Sequence, residues 1–199
     1  MDTRFVVPII AAVVVLLIVV AVIMITRRRK SDHLKEKFGP EYNRAIEQHG
    51  DARHAEAILF EREKRVEKFA LRPLPPSDRE RYSEDWSAIQ RRFVDDPSNA
   101  VNQAETLVNT VLEARGYPTG DFEERAADIS VNYPSLVQNY RSAREVIQRH
   151  AESQASTEDL RLAMVNFRSL FDELLETARP QRVEVQTQRV ELPPQRLAS

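Results

Sequence analysis

Asp121, Glu124 and Asp128 are the residues in this sequence whose type and spacing come nearest to a working site. Helical steps of three and four residues bring side chains to one face, and carboxylates gathered there offer hard oxygen ligands to a divalent cation. Glu123 lies beside them. The same acids in a first helical turn also complement the helix dipole, and Arg125 sits among them as a salt-bridge partner. The three are therefore weak metal candidates with an adequate structural explanation.

Other chemistry is missing from the chain. Its four histidines are His33, His49, His54 and His150, and the nearest pair, His49 and His54, is split by Gly50 and Asp51. None has the spacing of a helical zinc motif. The four glycines, Gly39, Gly50, Gly116 and Gly120, are too dispersed for a phosphate-binding loop or a dinucleotide fingerprint. Cysteine is absent, which removes disulfides, thiol catalysis and cysteine-ligated metals. There is no serine elbow. The expectation is a protein with no catalytic residues and no cofactor.

Arg141 and Arg144 begin a basic stripe of the kind that meets phosphate backbones, but Gln148 stands at the next helical step. Residues 71–178 carry 12 Arg and Lys against 19 Asp and Glu. An acidic domain of this kind makes a poor nucleic-acid partner, and none is expected. Residues 27–68 carry 12 basic against 9 acidic side chains, so the positive charge gathers near the amino-terminal end.

That end carries the strongest signal. After a flank of residues 1–4, residues 5–26 read FVVPIIAAVVVLLIVVAVIMIT, 22 positions without a charge. As a helix they extend about 33 Å, matched to a hydrocarbon core of about 30 Å. A cleaved signal would have a shorter apolar region behind several positive charges, and here only Arg4 and the amino terminus precede the run. The run has no polar face for a soluble helix, and no GxxxG for close helix pairing. A transmembrane helix is predicted. Arg27, Arg28, Arg29, Lys30, Lys35 and Lys37 form a collar behind it, and the positive-inside bias places the following chain in the cytoplasm. These cations can also attract anionic lipid, although a plain stop-transfer collar explains them.

Residues 27–70 hold this collar and two charged helices. Pro40 opens the first, Gly50 closes it, and Asp51 caps the next. The second places Ala52, Ala55, Leu59, Val66 and Phe69 in a heptad-like row broken by Arg62, and reads as a solvated stalk that could pair with a copy of itself. Pro73, Pro75 and Pro76 then break the chain.

Residues 71–178 read as a helical bundle. Ser77 and Glu80 have capping-box spacing ahead of a stripe of Tyr82, Trp86, Ile89 and Phe93, an expected core face. Asp96 and Pro97 start a helix with Val101, Ala104, Leu107, Val108, Val111 and Leu112 on one side and Gly116 as its stop. Two shorter elements begin near Asp121 and at Pro134, the second turning Leu136, Val137, Tyr140, Ala143 and Ile147 inward. Ser156 and Asp159 flank the start of a last helix with a wide apolar band from Leu160 to Leu174. Residues 179–199 form a polar, proline-containing tail, expected to be disordered; QRVEV and QRVEL recur in it with strand-like alternation. The predicted fold is all-α.

The stretches GPEY, REKRVEK, LRPL, RFVDDP, ARGYP, DFEERAADISV and TEDLRLAMVNFRSLFDELL together resemble a family of small bacterial single-pass membrane proteins. The likeness runs from about residue 32 to 176 and implies bacterial origin, but it brings no established activity. Histidines often stand in that family where this chain has Tyr133 and Asn166, so any chemistry they carried there is not expected here. The reading that follows is a non-enzymatic interaction or scaffold module, anchored in a bacterial inner membrane with its domain on the cytoplasmic face. Its partners would be membrane lipid through the span and a protein or a second copy through the helices. The alternatives are a membrane-tethered enzyme or divalent-metal domain, and the same domain facing the periplasm.

Overall fold

The computed structural model describes residues 3–176, with side chains from Val14 onward. The tail expected at 179–199 and the side chains of residues 5–13 lie outside the described residues. Within them the fold is all-α, eight helices and no strand. They are α1 (Thr3–Phe38), α2 (Pro40–His49), α3 (Ala52–Val66), α4 (Pro76–Arg92), α5 (Pro97–Ala114), α6 (Phe122–Asn132), α7 (Val137–Ala151) and α8 (Thr157–Glu176).

Local chemistry sets most boundaries. Asp51, Asp96 and Asp121 each cap a helix by accepting a hydrogen bond from the backbone N–H three residues on, at His54, Asn99 and Glu124. Ser156 and Asp159 cap α8 reciprocally, Asp159 N–H donating to the Ser156 hydroxyl and Ser156 N–H to the Asp159 carboxylate. The capping box expected at Ser77 and Glu80 does not start α4. Pro76 takes the first position, where its fixed φ suits the helix and its missing N–H is not needed, and Ser77 falls inside the first turn.

The larger core joins α4 to α8. α8 buries Leu160, Ala163, Met164, Phe167, Leu170, Phe171 and Leu174, mainly against α5 and α7. Trp86 of α4 is fully buried and stacks on Phe171 at 4.7 Å between centroids; Phe122 stacks on Tyr140 at 4.8 Å. Tyr82, Trp86 and Ile89 are core residues as the stripe predicts, and Phe93 is partly buried at the helix end.

A smaller core joins α1, α2 and α3 to α6 through Leu34, Phe38, Tyr42, Ala45, Ala55, Leu59, Val66 and Val131. Phe69 and Leu71 pack against both cores. The solvated stalk expected for α3 is thus corrected. The helix buries Ala55, Leu59, Glu63 and Val66, leaves Ala52 exposed and stops at Val66, so Phe69 turns onto Tyr117 with centroids 6.3 Å apart. The buried row runs 55, 59, 63, 66: three of its members belong to the expected row, and Glu63 takes the place of Arg62 because Lys37 and His33 of α1 meet its carboxylate.

α5 ends in a Schellman turn, with Gly116 N–H bonded to Glu113 O at 2.9 Å and Tyr117 N–H to Leu112 O at 3.0 Å. Gly116 takes φ +95°, and a Cβ there would stand 2.5 Å from Ala70 O, so both conformation and space demand glycine. Arg72 N–H bonds Arg115 O across this end, tying the 67–75 connection to α5.

α1 is the element that sets the molecule's shape. It is one helix from Thr3 to Phe38, with no break at the collar. Leu34 and Phe38 are fully buried, while every large apolar side chain from Val14 to Ile25 is 39–62% exposed. Among the described residues no helix is long and apolar enough to cross a membrane. The described side chains of the apolar run, Val14 to Thr26, make about 20 Å of helix before Arg27.

Candidate functional site

The three acids singled out in the sequence meet an arginine. Asp121 is the α6 cap, its carboxylate turned to Glu124 N–H at 2.8 Å. Glu124 accepts from Arg65 Nη1 at 2.8 Å, and Asp128 from Arg65 Nε at 2.8 Å, with a second, very short contact from Nη2. Arg65 thereby clamps α3 to α6. Asp128 is buried, which pushes its carboxyl above the usual range; the bond from Arg65 opposes this without cancelling it. Among the described residues no group of three histidine or carboxylate side chains could hold a metal ion. Glu124 and Asp128 face a fixed cation, and a divalent ion would have to displace it.

Half of the collar is built into the fold. Lys37 donates to Glu63 at 2.6 Å, and His33 Nε2 lies 3.3 Å from the same carboxylate oxygen. Burial would raise the Glu63 carboxyl, but the bonds from Lys37 and His33 outweigh it and hold the group below its ordinary range. Lys30 Nζ stands 3.5 Å from the centroid of Phe60, and Lys35 Nζ 5.6 Å from that of Tyr42, both within cation–π reach. Arg27, Arg28 and Arg29 are exposed on α1.

Two charged seams were not legible in the sequence. Glu41 of α2, 3% exposed, accepts from Arg141 Nη1 of α7, 100 residues away. Arg62 lies nearby; burial lowers its affinity for the proton, Glu41 opposes that, and Arg141 and Arg65 add to it. Arg144 Nη1 donates to both oxygens of Glu105 at 2.8 Å. The two arginines of the apparent basic stripe are thus bound to carboxylates of the same chain.

The histidines are dispersed. His49 and His54 meet edge to face at 5.3 Å, and His150 Nε2 lies 2.9 Å from Ser98 Oγ beside a cavity of about 160 Å³. Tyr133 is buried and Asn166 half-buried. An open groove of about 1010 Å³ lies between α3 and the start of α6. Arg62, Lys64, Arg65 and Lys68 line one wall together with Glu61, and Asp121 and Glu124 line the other. This groove and the adjoining collar form the candidate site, a surface rich in charged side chains. No family model, curated protein or solved structure matches this chain.

Proposed function

We propose that this protein is a membrane-anchored, non-enzymatic interaction module, held by residues 5–26 in a bacterial inner membrane with its helical domain on the cytoplasmic side. The observation that carries the reading is the continuity of α1. The helix bearing the apolar run passes through the collar and buries Leu34 and Phe38 in the domain, while its large apolar side chains from Val14 to Ile25 are uncovered. A contiguous apolar surface of that extent needs a lipid or protein environment. The sequence of the run has the length and composition of a span, and the collar supplies the orientation.

Among the described residues no three histidine or carboxylate side chains are grouped so as to hold a metal ion. The acid trio favoured by the metal-binding alternative is engaged by helix capping and by Arg65. What the domain does offer is a set of helical surfaces joined to the apolar run by one continuous helix, suited to a protein partner or a second copy.

Protease accessibility of an epitope fused after Ser199 tests the reading. Protection in intact cells with digestion in inverted vesicles is the expected result. Digestion once the outer envelope is opened, with the inner membrane intact, would move the domain to the periplasm. Recovery of the full chain in the soluble fraction would sink the anchor. In-cell crosslinking followed by purification of the full chain tests the interaction half, and a chain that remains an uncrosslinked monomer contradicts it.

A further inference from the structure

The collar and the α3 groove meet at one aromatic ring. Phe60 of α3 carries the ammonium of Lys30 at 3.5 Å from its centroid and that of Lys64 at 4.5 Å. Lys64 also lines the groove, together with Lys68 one turn further on. Lys30, Lys64 and Lys68 are exposed, and none of them forms an ion pair among the described residues. Two like charges drawn to one ring make a place where an anion lowers the energy.

Height along α1 identifies that anion. α1 is unbroken, so Lys30 stands one turn beyond Thr26, about 6 Å along the axis. With residues 5–26 in the hydrocarbon, that is the depth of the phosphate layer. Phe60, in contact with Lys30, and Lys64 over the same ring share it. Across the groove Asp121 caps α6 and Glu124 is bonded to Arg65, which leaves Glu61, on the same wall, as the acid beside these lysines.

We propose that the Phe60 corner of α3, with Lys30, Lys64 and Lys68, is a headgroup site for anionic phospholipid, which lays α3 against the leaflet from which α1 emerges. The inference rests on the anchored reading above and adds a second, folded contact with the membrane. The lysines pair with the phosphodiester and the ring edge sits at the headgroup boundary, as aromatic side chains do at membrane interfaces.

The test uses the full chain in nanodiscs that mix phosphatidylcholine and phosphatidylglycerol, with native mass spectrometry counting the lipids retained on release. The wild type should retain phosphatidylglycerol preferentially, and Lys64→Gln/Lys68→Gln should reduce that preference about thirtyfold, from two cations near an anionic surface. Arg79→Gln/Arg81→Gln on α4 should leave it unchanged. Both pairs are exposed and should keep the helical circular dichroism of the wild type. Insertion with the same preference in wild type and the α3 double variant overturns the headgroup site and leaves the anchor standing. Failure to enter the nanodiscs overturns both. Loss of the preference when inorganic phosphate is added at constant ionic strength also overturns it, by reducing the corner to a general anion site.

Discussion

Glu41 and Arg141 come from helices 100 residues apart and meet with the carboxylate 3% exposed. Removing one partner of such a pair strands the other, at a cost of about 3–5 kcal/mol. Glu41→Gln should therefore lower the denaturant midpoint sharply, and Glu41→Leu/Arg141→Met should regain most of the loss. A double variant as unstable as the single would place the cost in packing instead. Acid titration separates two other carboxyls by sign. Glu63 is held below its unfolded value, so its stabilisation is present above the ordinary carboxylate pKa and is lost as pH falls through the folded value. Asp128 is raised, so its contribution runs the other way, favouring the fold as pH falls. Denaturant unfolding followed from neutral pH down to about pH 3, below the ordinary carboxylate range, should show a shallower acid loss for Glu63→Gln and a steeper one for Asp128→Asn. Slopes changing in the same direction would contradict this assignment.

The helices differ in how openly the sequence announces them. All seven buried apolar side chains of α8 are legible, because one amphipathic face packs on one side of the molecule and the period alone exposes it. α3 is legible as a helix but not as a packed one. Its buried row contains Glu63, a charge that reads as solvent-facing until Lys37 and His33 are brought to it from α1. The acid trio was legible as one helical neighbourhood, yet the arginine that engages it lies about 60 residues upstream, beyond any local pattern. This division has a consequence at the level of elements, because α1–α3 have their own small core. Phe38→Ala should cost about 3–5 kcal/mol there. Hydrogen exchange should then rise across α1, α2 and α3 while α5 and α8 keep their protection. A uniform rise through all helices would mean that Phe69 and Leu71 couple the two cores into one cooperative unit.

Charge is distributed unevenly over the whole molecule. The bundle of residues 71–178 carries 12 basic against 19 acidic side chains, whereas residues 27–68 carry 12 against 9. Beside an anionic surface the first repels and the second attracts, so on the anchored reading the field and the α1 rod would act together to present α3. The two differ in their response to salt. Electrostatic orientation fades as the screening length falls from about 10 Å at 0.1 M to about 3 Å at 1 M. The rod is held by backbone hydrogen bonds and by the burial of Leu34 and Phe38, and salt leaves it intact. Spin labels at Met24 and Arg79 should give one narrow distance distribution at either ionic strength. Ser31→Pro places a ring against the carbonyl of Arg27 and removes a helical N–H, at a cost of about 3 kcal/mol between the apolar run and the first fully buried residue. That variant should broaden the distribution even at low salt. A wild-type distribution already as broad would mean that α1 hinges at the collar, and the domain would then hang from its apolar helix rather than be set by it.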